Sequence, residues 1–268
     1  MQVIGLCRFS YLGMGGFQVQ HETEAAKAEF LYDPERLNER FRQFEACTLP
    51  SIRGQTDPDF VFLVVTGTSF PPWALARLQA LLSDIPQAVL AQHPPGVHRR
   101  VMRRAVAEVR QASDQPCLQF RLDDDDAVNL TFVARLRDIA TRAKPLIMSE
   151  GHLAIDFRTG WVAGFSSVGI VGKQVGESCW TPGLAIALAP ENDASILNYS
   201  HAKIPATTPL LSYPDPHMFV RGISDMNDSR QKEGIKPHRM APLDAEGRAV
   251  FQQNFRIDEE RVRQIFSA

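Results

Sequence analysis

The run DFVFLVV, Asp59 to Val65, sets the tightest limit on the fold. After its first residue it is apolar without interruption, rich in β-branched and aromatic side chains, and no longer than a strand. A strand with no polar alternation has to be covered on both faces, as in a parallel sheet layered between helices. The neighbouring segments agree. Gln2 to Phe9 reads as a short buried strand. Asp33-Pro34 opens a helix, with Asp33 as N-cap and proline at the first helical position, and Leu37, Phe41 and Phe44 share one of its faces. The spacing predicts a helix over Pro72 to Leu82, with Leu75, Leu78 and Leu82 aligned, and a third strand in QAVLAQ at 87–92. Val97 to Gln111 is read as a helix with Val101, Ala105 and Val109 aligned, and Cys117 to Leu122 as a fourth strand. A helix from Asn129 to Ala143 turns Phe132, Leu136 and Ile139 inward. The order β-α-β-α-β-α-β-α predicts an α/β fold with a mainly parallel sheet and helices on both faces.

That rhythm breaks after Lys144. PLIMSEGHLAIDFRTGWVAGFSS reads as strands joined by a tight turn at Arg158-Thr159-Gly160, and GLAIAL at 183–188 as another strand. Tyr199 to Arg248 is rich in proline and polar residues and predicts long loops. A helix from Asp258 to Phe266 closes the chain.

Bulk properties narrow the function. The 268 residues suit one large domain. A composition 44% hydrophobic and 22% charged is that of a globular protein. A net charge of −2 offers no global field for nucleic acid, so no nucleic-acid partner is expected. Cys7, Cys47, Cys117 and Cys179 are far apart and form no C-x-x-C pair, which argues against a zinc knuckle and fits a reducing compartment. MQVIGLCRFSYLGMGG carries Arg8 inside its apolar part and has no basic stretch ahead, unlike a signal peptide. No apolar run approaches the roughly 18 residues a membrane span needs. The expectation is a cytoplasmic protein with no transmembrane segment, a peripheral membrane contact being left open.

The chemistry concentrates in CLQFRLDDDDAVNL, Cys117 to Leu130. Four consecutive aspartates, Asp123 to Asp126, repel one another directly after a buried strand, at the end of the sheet where ligands of open α/β folds bind. On an extended chain Asp123 and Asp125 project to the same side. Two carboxylates beside a crevice suit Mg²⁺, or Mn²⁺, with substrate phosphates and water completing the shell. The bland reading is an acidic helix start, where each carboxylate gains roughly 0.3–1 kcal/mol from the dipole. Asp126 is placed in that role; four acids are more than capping requires.

FRLDDDDAV resembles the D-x-D motif of GT-A-fold glycosyltransferases, in its D-x-D-D form. CTLPSIRGQTDPDFVFLVV (47–65) followed by RLDDDDAV resembles, more narrowly, the bacterial rhamnosyltransferase family, over most of the chain. The resemblance implies one GT-A-like domain over 1–268, with a nucleotide-sugar-binding part at 1–145 and an acceptor-side part at 146–268. It implies a metal-dependent transfer of a sugar, rhamnose by the family's assignment, from a nucleotide-diphosphate donor to a carbohydrate or other hydroxyl acceptor, as in surface polysaccharide synthesis. Asp123 matches the motif's first aspartate, near ribose and metal. Asp124 matches the variable middle residue and Asp125 the metal-ligating second aspartate.

The same resemblance gives weight to residues that are otherwise ordinary. Arg8, at the end of the first strand, is a candidate for base or phosphate contact. The glycines after it, Gly13, Gly15 and Gly16, lack the G-x-G-x-x-G spacing and read equally well as a flexible loop. Arg99, Arg100, Arg103 and Arg104 form a basic band whose usual meaning is a solvated helix face. Arginine forks also suit phosphate, and Arg100 and Arg104 are carried as donor-binding candidates. His201 and His217 are candidate metal ligands, since GT-A enzymes often use a late histidine; each is as readily a structural histidine. A transfer with inversion needs a carboxylate base. Asp193 and Asp225 are the leading candidates among Asp156, Glu191, Asp193, Asp215 and Asp225, none of which stands in an E-D motif. The resemblance makes the basic segment Met226 to Pro242 the candidate lid over the donor, with Arg230, Lys232 and Lys236 drawn to the diphosphate; on composition it reads as a solvated connector to the last helix. Two rival readings stay open. A nucleotidyltransferase would show a basic glycine-rich loop after the first strand, and YLGMGGFQVQ has no lysine or arginine. A non-catalytic binding protein would use the acids only as a cap.

Overall fold

The buried runs of the first half come together in one sheet, and one strand of the second half enters it backwards. In this computed structural model, which describes residues 1–14, 23–224 and 238–268, seven strands pair side by side. Their order is Ala88–His93, Val61–Gly67, Val3–Arg8, Cys117–Arg121, Leu184–Leu188, His152–Phe157 and Leu210–Tyr213. Numbered along the chain, the order is 3-2-1-4-6-5-7. The sixth strand, Leu184–Leu188, is antiparallel to both neighbours, and every other adjacent pair is parallel.

Covering on both faces shows in the alternation of side chains. Val3, Cys7, Phe62 and Val64 pack into one core, with Leu37, Phe41, Phe44, Leu78 and Leu136 from the helices on that face. Ile4, Leu6, Leu63 and Val65 pack into another, against Met102, Ala105 and Val106 of helix His98–Val109. Each such side chain contributes about 1.5–3 kcal/mol on leaving water. The helix Pro34–Gln43 has Asp33 as its cap, whose carboxylate accepts from the Arg36 N–H. It runs through a π turn over Phe44–Thr48 into Leu49–Arg53.

A second sheet begins where the first leaves off: its edge strand, Ala127–Val128, follows the acidic run after Cys117–Arg121. Its order is Ala241–Pro242, Gly169–Gly176, Thr159–Ser166, Phe219–Gly222 and Ala127–Val128. Trp161, Phe165, Ile170 and Val220 bury against Phe251, Phe255, Val262 and Ile265 of the two last helices. Ala46 and Cys47 of the π turn join the same core, which ties this layer to the first half of the chain.

Several expectations are corrected. Lys144–Glu150, read as a strand, is a helix; Pro145 sits in its first turn and Gly151, at φ 74°, is its left-handed stop. No hairpin forms at Arg158-Thr159-Gly160: His152–Phe157 lies in the first sheet and Thr159–Ser166 in the second. The hairpin partner of Thr159–Ser166 is Gly169–Gly176. The described residues of 199–248 are more regular than a set of loops. They hold helix Ile204–Thr207, strands Leu210–Tyr213 and Phe219–Gly222, and the start of helix Ala245–Phe255, capped by Asp244. These strands are four residues long, too short for periodicity to register. The last helix is Glu259–Ser267, with Asp258 as its cap. All four cysteines are buried free thiols. No helix among the described residues is long and apolar enough to cross a membrane.

Candidate active site

Strand order reverses between Val3–Arg8 and Cys117–Arg121, because the chain leaves the first strand to one side and the fourth to the other. A crevice opens at the carboxyl ends of strands where such a reversal occurs. Arg8 ends one of these strands and Asp123 follows the other by two residues. Arg8 Nη2 donates to Asp123 Oδ1 at 3.0 Å, and Arg121 Nη2 donates to Asp123 Oδ2 at 2.8 Å. Burial by itself would raise the pKa of Asp123; Arg121 and then Arg8 outweigh it and hold the carboxyl well below the usual range. Arg8 Nη1 also donates to Nε2 of His98 at 3.0 Å. That imidazole is neutral: burial, then the charges of Arg8 and Arg121, push its pKa down to about 3.

The aspartates do not lie on an extended chain. Asp124 and Asp125 form a turn, closed by the Asp126 N–H donating to the Asp123 carbonyl at 3.1 Å. Alternation therefore does not set their directions. Asp124 and Asp125 are buried and both bind Arg40, from the helix Pro34–Gln43. Arg40 Nε donates to Asp124 Oδ2 at 3.0 Å, its Nη2 to Asp124 Oδ1, and its Nη1 to Asp125 Oδ2 at 3.2 Å. Asp126 is not a helix cap. It accepts from the Gly222 N–H at 3.1 Å, Ala127–Val128 pairs with Phe219 and Val220, and the next helix starts only at Phe132. Burial raises the pKa of Asp125, and Asp124 and Asp123 add to that against the pull of Arg40. Burial, Asp125 and Asp123 raise Asp126 well above the usual range.

These shifts have opposite signs in stability. A raised carboxyl favours the folded state while protonated, and that advantage is lost as pH rises through its folded pKa; the depressed Asp123 favours folding above its unfolded pKa and loses this as pH falls. Two limbs of opposite sign are expected as pH drops from neutral in the metal-free protein: protonation of the raised acids adds stability, while His98 and His201, neutral in the fold, lose it below the ordinary imidazole range, as Asp123 does in stronger acid. Asp126→Asn should flatten the first limb in a Tm-versus-pH series. An unaltered limb in that variant would show that the buried acid is not its source.

Of the remaining candidates the structure brings some to the crevice and leaves others outside. Arg8, His98, Arg99, Arg121, Tyr199 and His201 line it. His201 is held neutral by burial first, then by Arg121 and Arg221, with Asp123 acting the other way. His217 is placed elsewhere: its Nδ1 accepts from Trp161 Nε1 at 3.0 Å and its ring stacks on that indole. Arg100 and Arg104 face solvent, and Arg104 pairs with Glu108 in its own helix. The arginine of that band that reaches the crevice is Arg99, because helix His98–Val109 buries His98, Met102, Ala105 and Val106. Asp193 is 79% exposed and pairs with Arg103, away from the lining. Asp156 is buried between the Cys179 N–H and the Ser212 hydroxyl, and Asp215 is paired with Arg135. Asp225, Gly15, Gly16 and most of the expected lid, including Arg230, Lys232 and Lys236, lie outside the described residues. Gly13–Met14 pairs with Gly96–Val97. Sequence reasoning passed over Arg40, Arg121 and His98. A signal existed for the first two: Arg40 falls among the apolar positions Leu37, Phe41 and Phe44, and Arg121 interrupts a buried strand.

The family model described as "Putative rhamnosyl transferase" matches residues 2–236. Similar solved structures include S. aureus TarS 1-349, at 11% identity and a TM-score of 0.42, covering 83% of this chain and 60% of that one. The same protein in complex with UDP-GlcNAc is similar at 11% identity and 0.42, covering 84% and 59%. Its complex with UDP is similar at 11% and 0.41, covering 84% and 61%. The chain thus spans about three fifths of the length of these structures. No curated protein matches it.

Proposed function

The chain belongs to the family described as "Putative rhamnosyl transferase", and on that premise we propose that it is a glycosyltransferase that moves a sugar, rhamnose in the family's usage, from a nucleoside-diphosphate donor to an acceptor hydroxyl. The observation that carries this reading is Asp123 clamped between Arg8 and Arg121 at the reversal of strand order. Two guanidinium groups beside a crevice are matched to a diphosphate, which they can bind in forked fashion. Arg99 adds a third at the lining. The Arg8 fork is fixed from behind by the neutral His98.

A divalent ion, Mg²⁺ or Mn²⁺, belongs to the same proposal. Among the described residues no three ligating side chains converge on one point. A cation held by protein alone therefore does not fit. An ion held by one or two carboxylates and the donor's own phosphates does. Asp125 would hold it through Oδ1, the oxygen that Arg40 leaves open, and Asp123, with its side chain 28% exposed, would join it. When bound, the ion would offset the charge that develops on the leaving diphosphate. His201, neutral and at the lining, is available to the ion or to the acceptor's proton.

Calorimetric titration of nucleoside diphosphates, with and without Mn²⁺, tests the reading. Binding is expected, tighter with Mn²⁺, and Arg8→Gln or Arg121→Gln should each weaken it by about tenfold, more at low salt. A donor screen should show turnover with a nucleoside-diphosphate rhamnose in preference to UDP-GlcNAc. Absence of nucleoside-diphosphate binding under both conditions would sink the proposal.

A further inference from the structure

Arg40 is assigned no part in the reading above, yet it is among the most buried charges of the site, at 7% exposure. Its guanidinium forks onto Asp124 and reaches Asp125 with the remaining amino group. Its place is fixed by a helix that starts at the Asp33 cap and leads directly into the π turn Phe44–Thr48; π turns inside helices often mark functional sites. Arg36, one turn earlier, is buried too, and points to Ser10 beyond the first strand. Arg40 thus delivers a permanent positive charge from outside the motif to two of its three buried acids. Two buried carboxylates without a counter-charge are strongly disfavoured, and an arginine cannot be deprotonated to withdraw that charge.

We propose that Arg40 is a positioning residue that serves as the resident counter-cation of the acidic turn. It holds Asp124 and Asp125 in place without a metal ion, and it keeps the turn's affinity for the ion low until the donor's diphosphate supplies further oxygens. With its affinity set low by Arg40, the turn would hold an ion only while the diphosphate is bound. The reason is charge: Asp123, Asp124 and Asp125 already pair with Arg8, Arg121 and Arg40, and Arg221 acts on Asp126, so an added divalent cation gains only what these cations have not neutralised. This rests on the divalent-ion reading of the site given above.

The test is Mn²⁺ binding followed by electron paramagnetic resonance, with and without inorganic pyrophosphate as the diphosphate probe, in the wild type and in Arg40→Gln. The wild type is expected to bind Mn²⁺ weakly alone and at least about tenfold more tightly with pyrophosphate, since phosphate oxygens complete such shells. Arg40→Gln is expected to bind Mn²⁺ alone about tenfold more tightly than the wild type, with the pyrophosphate effect reduced and a lowered Tm restored by Mn²⁺. If the glutamine variant does not fold, Arg40→Lys keeps the charge but loses the fork, and should show about a threefold gain in Mn²⁺ affinity. Affinity unchanged or weaker in the variant that folds, while the wild type keeps its pyrophosphate-dependent binding, would leave Arg40 a purely structural prop and overturn the proposal. No Mn²⁺ binding by any of these proteins in either condition would remove the divalent-ion reading itself.

Discussion

Asp125→Asn is expected to lower sugar transfer by about 10²–10³-fold, the loss of a few kcal/mol of charge stabilisation, while leaving Tm unchanged or slightly raised. The two halves of that expectation come from the same environment. Asp125 is buried, and burial together with Asp124 and Asp123 raises its pKa in spite of Arg40. Its charge is therefore disfavoured by the fold, and replacing it with a neutral group of the same shape should not destabilise the protein. Arg40 keeps its fork on Asp124. A residue the fold tolerates reluctantly and the reaction needs is the pattern expected of a functional site. The measurements are transfer rate and thermal unfolding on the same preparation. Undiminished transfer would take Asp125 out of the chemistry; a large fall in Tm would make it a structural acid.

What the sequence allowed to be read follows from the range over which each signal acts. The strands of the first half were legible because burial on both faces leaves a continuous apolar run, and Val61–Gly67 is such a run. The acidic motif was legible as chemistry, since four adjacent carboxylates repel one another and call for a counter-charge. Its conformation was not. The same-side placement of Asp123 and Asp125 presumed an extended chain, and one backbone hydrogen bond from Asp126 to Asp123 turns it instead. Arg40 lies 84 residues before its partner Asp124, and nothing local in a sequence announces such a pair. The basic band shows how fine the margin is: Arg99 lines the crevice and Arg100 does not, a difference of one residue in helical phase. The second sheet escaped because Phe219–Gly222, which joins its hairpin to the motif, has four residues and the edge next to the motif, Ala127–Val128, has two.

That second sheet is where the remaining large effect is expected. Gly222 ends the strand Phe219–Gly222, and its N–H donates to Asp126 Oδ1. A Cβ placed on it would run into the Asp125 carbonyl oxygen and lie 2.9 Å from the carbonyl carbon. Both are backbone atoms, so no side chain can swing aside; either the strand or the acidic turn has to move. The constraint is space, because Gly222 is not among the positive-φ positions. Gly222→Ala is therefore expected to destabilise the protein by about 1–3 kcal/mol or more, the cost of overpacking a close-packed site. Transfer should fall with it in whatever fraction stays folded, since the displaced backbone is that of Asp125 itself. Gly176→Ala is the control: a Cβ there meets nothing within 4 Å, and the lost freedom of the unfolded chain should leave that variant neutral or stabler by about 0.4–1 kcal/mol. Urea unfolding and transfer assays on the two alanine variants decide the matter. If Gly222→Ala unfolds at the wild-type midpoint and transfers at the wild-type rate, the turn is soft, and the contact between the two sheets does not position the aspartates.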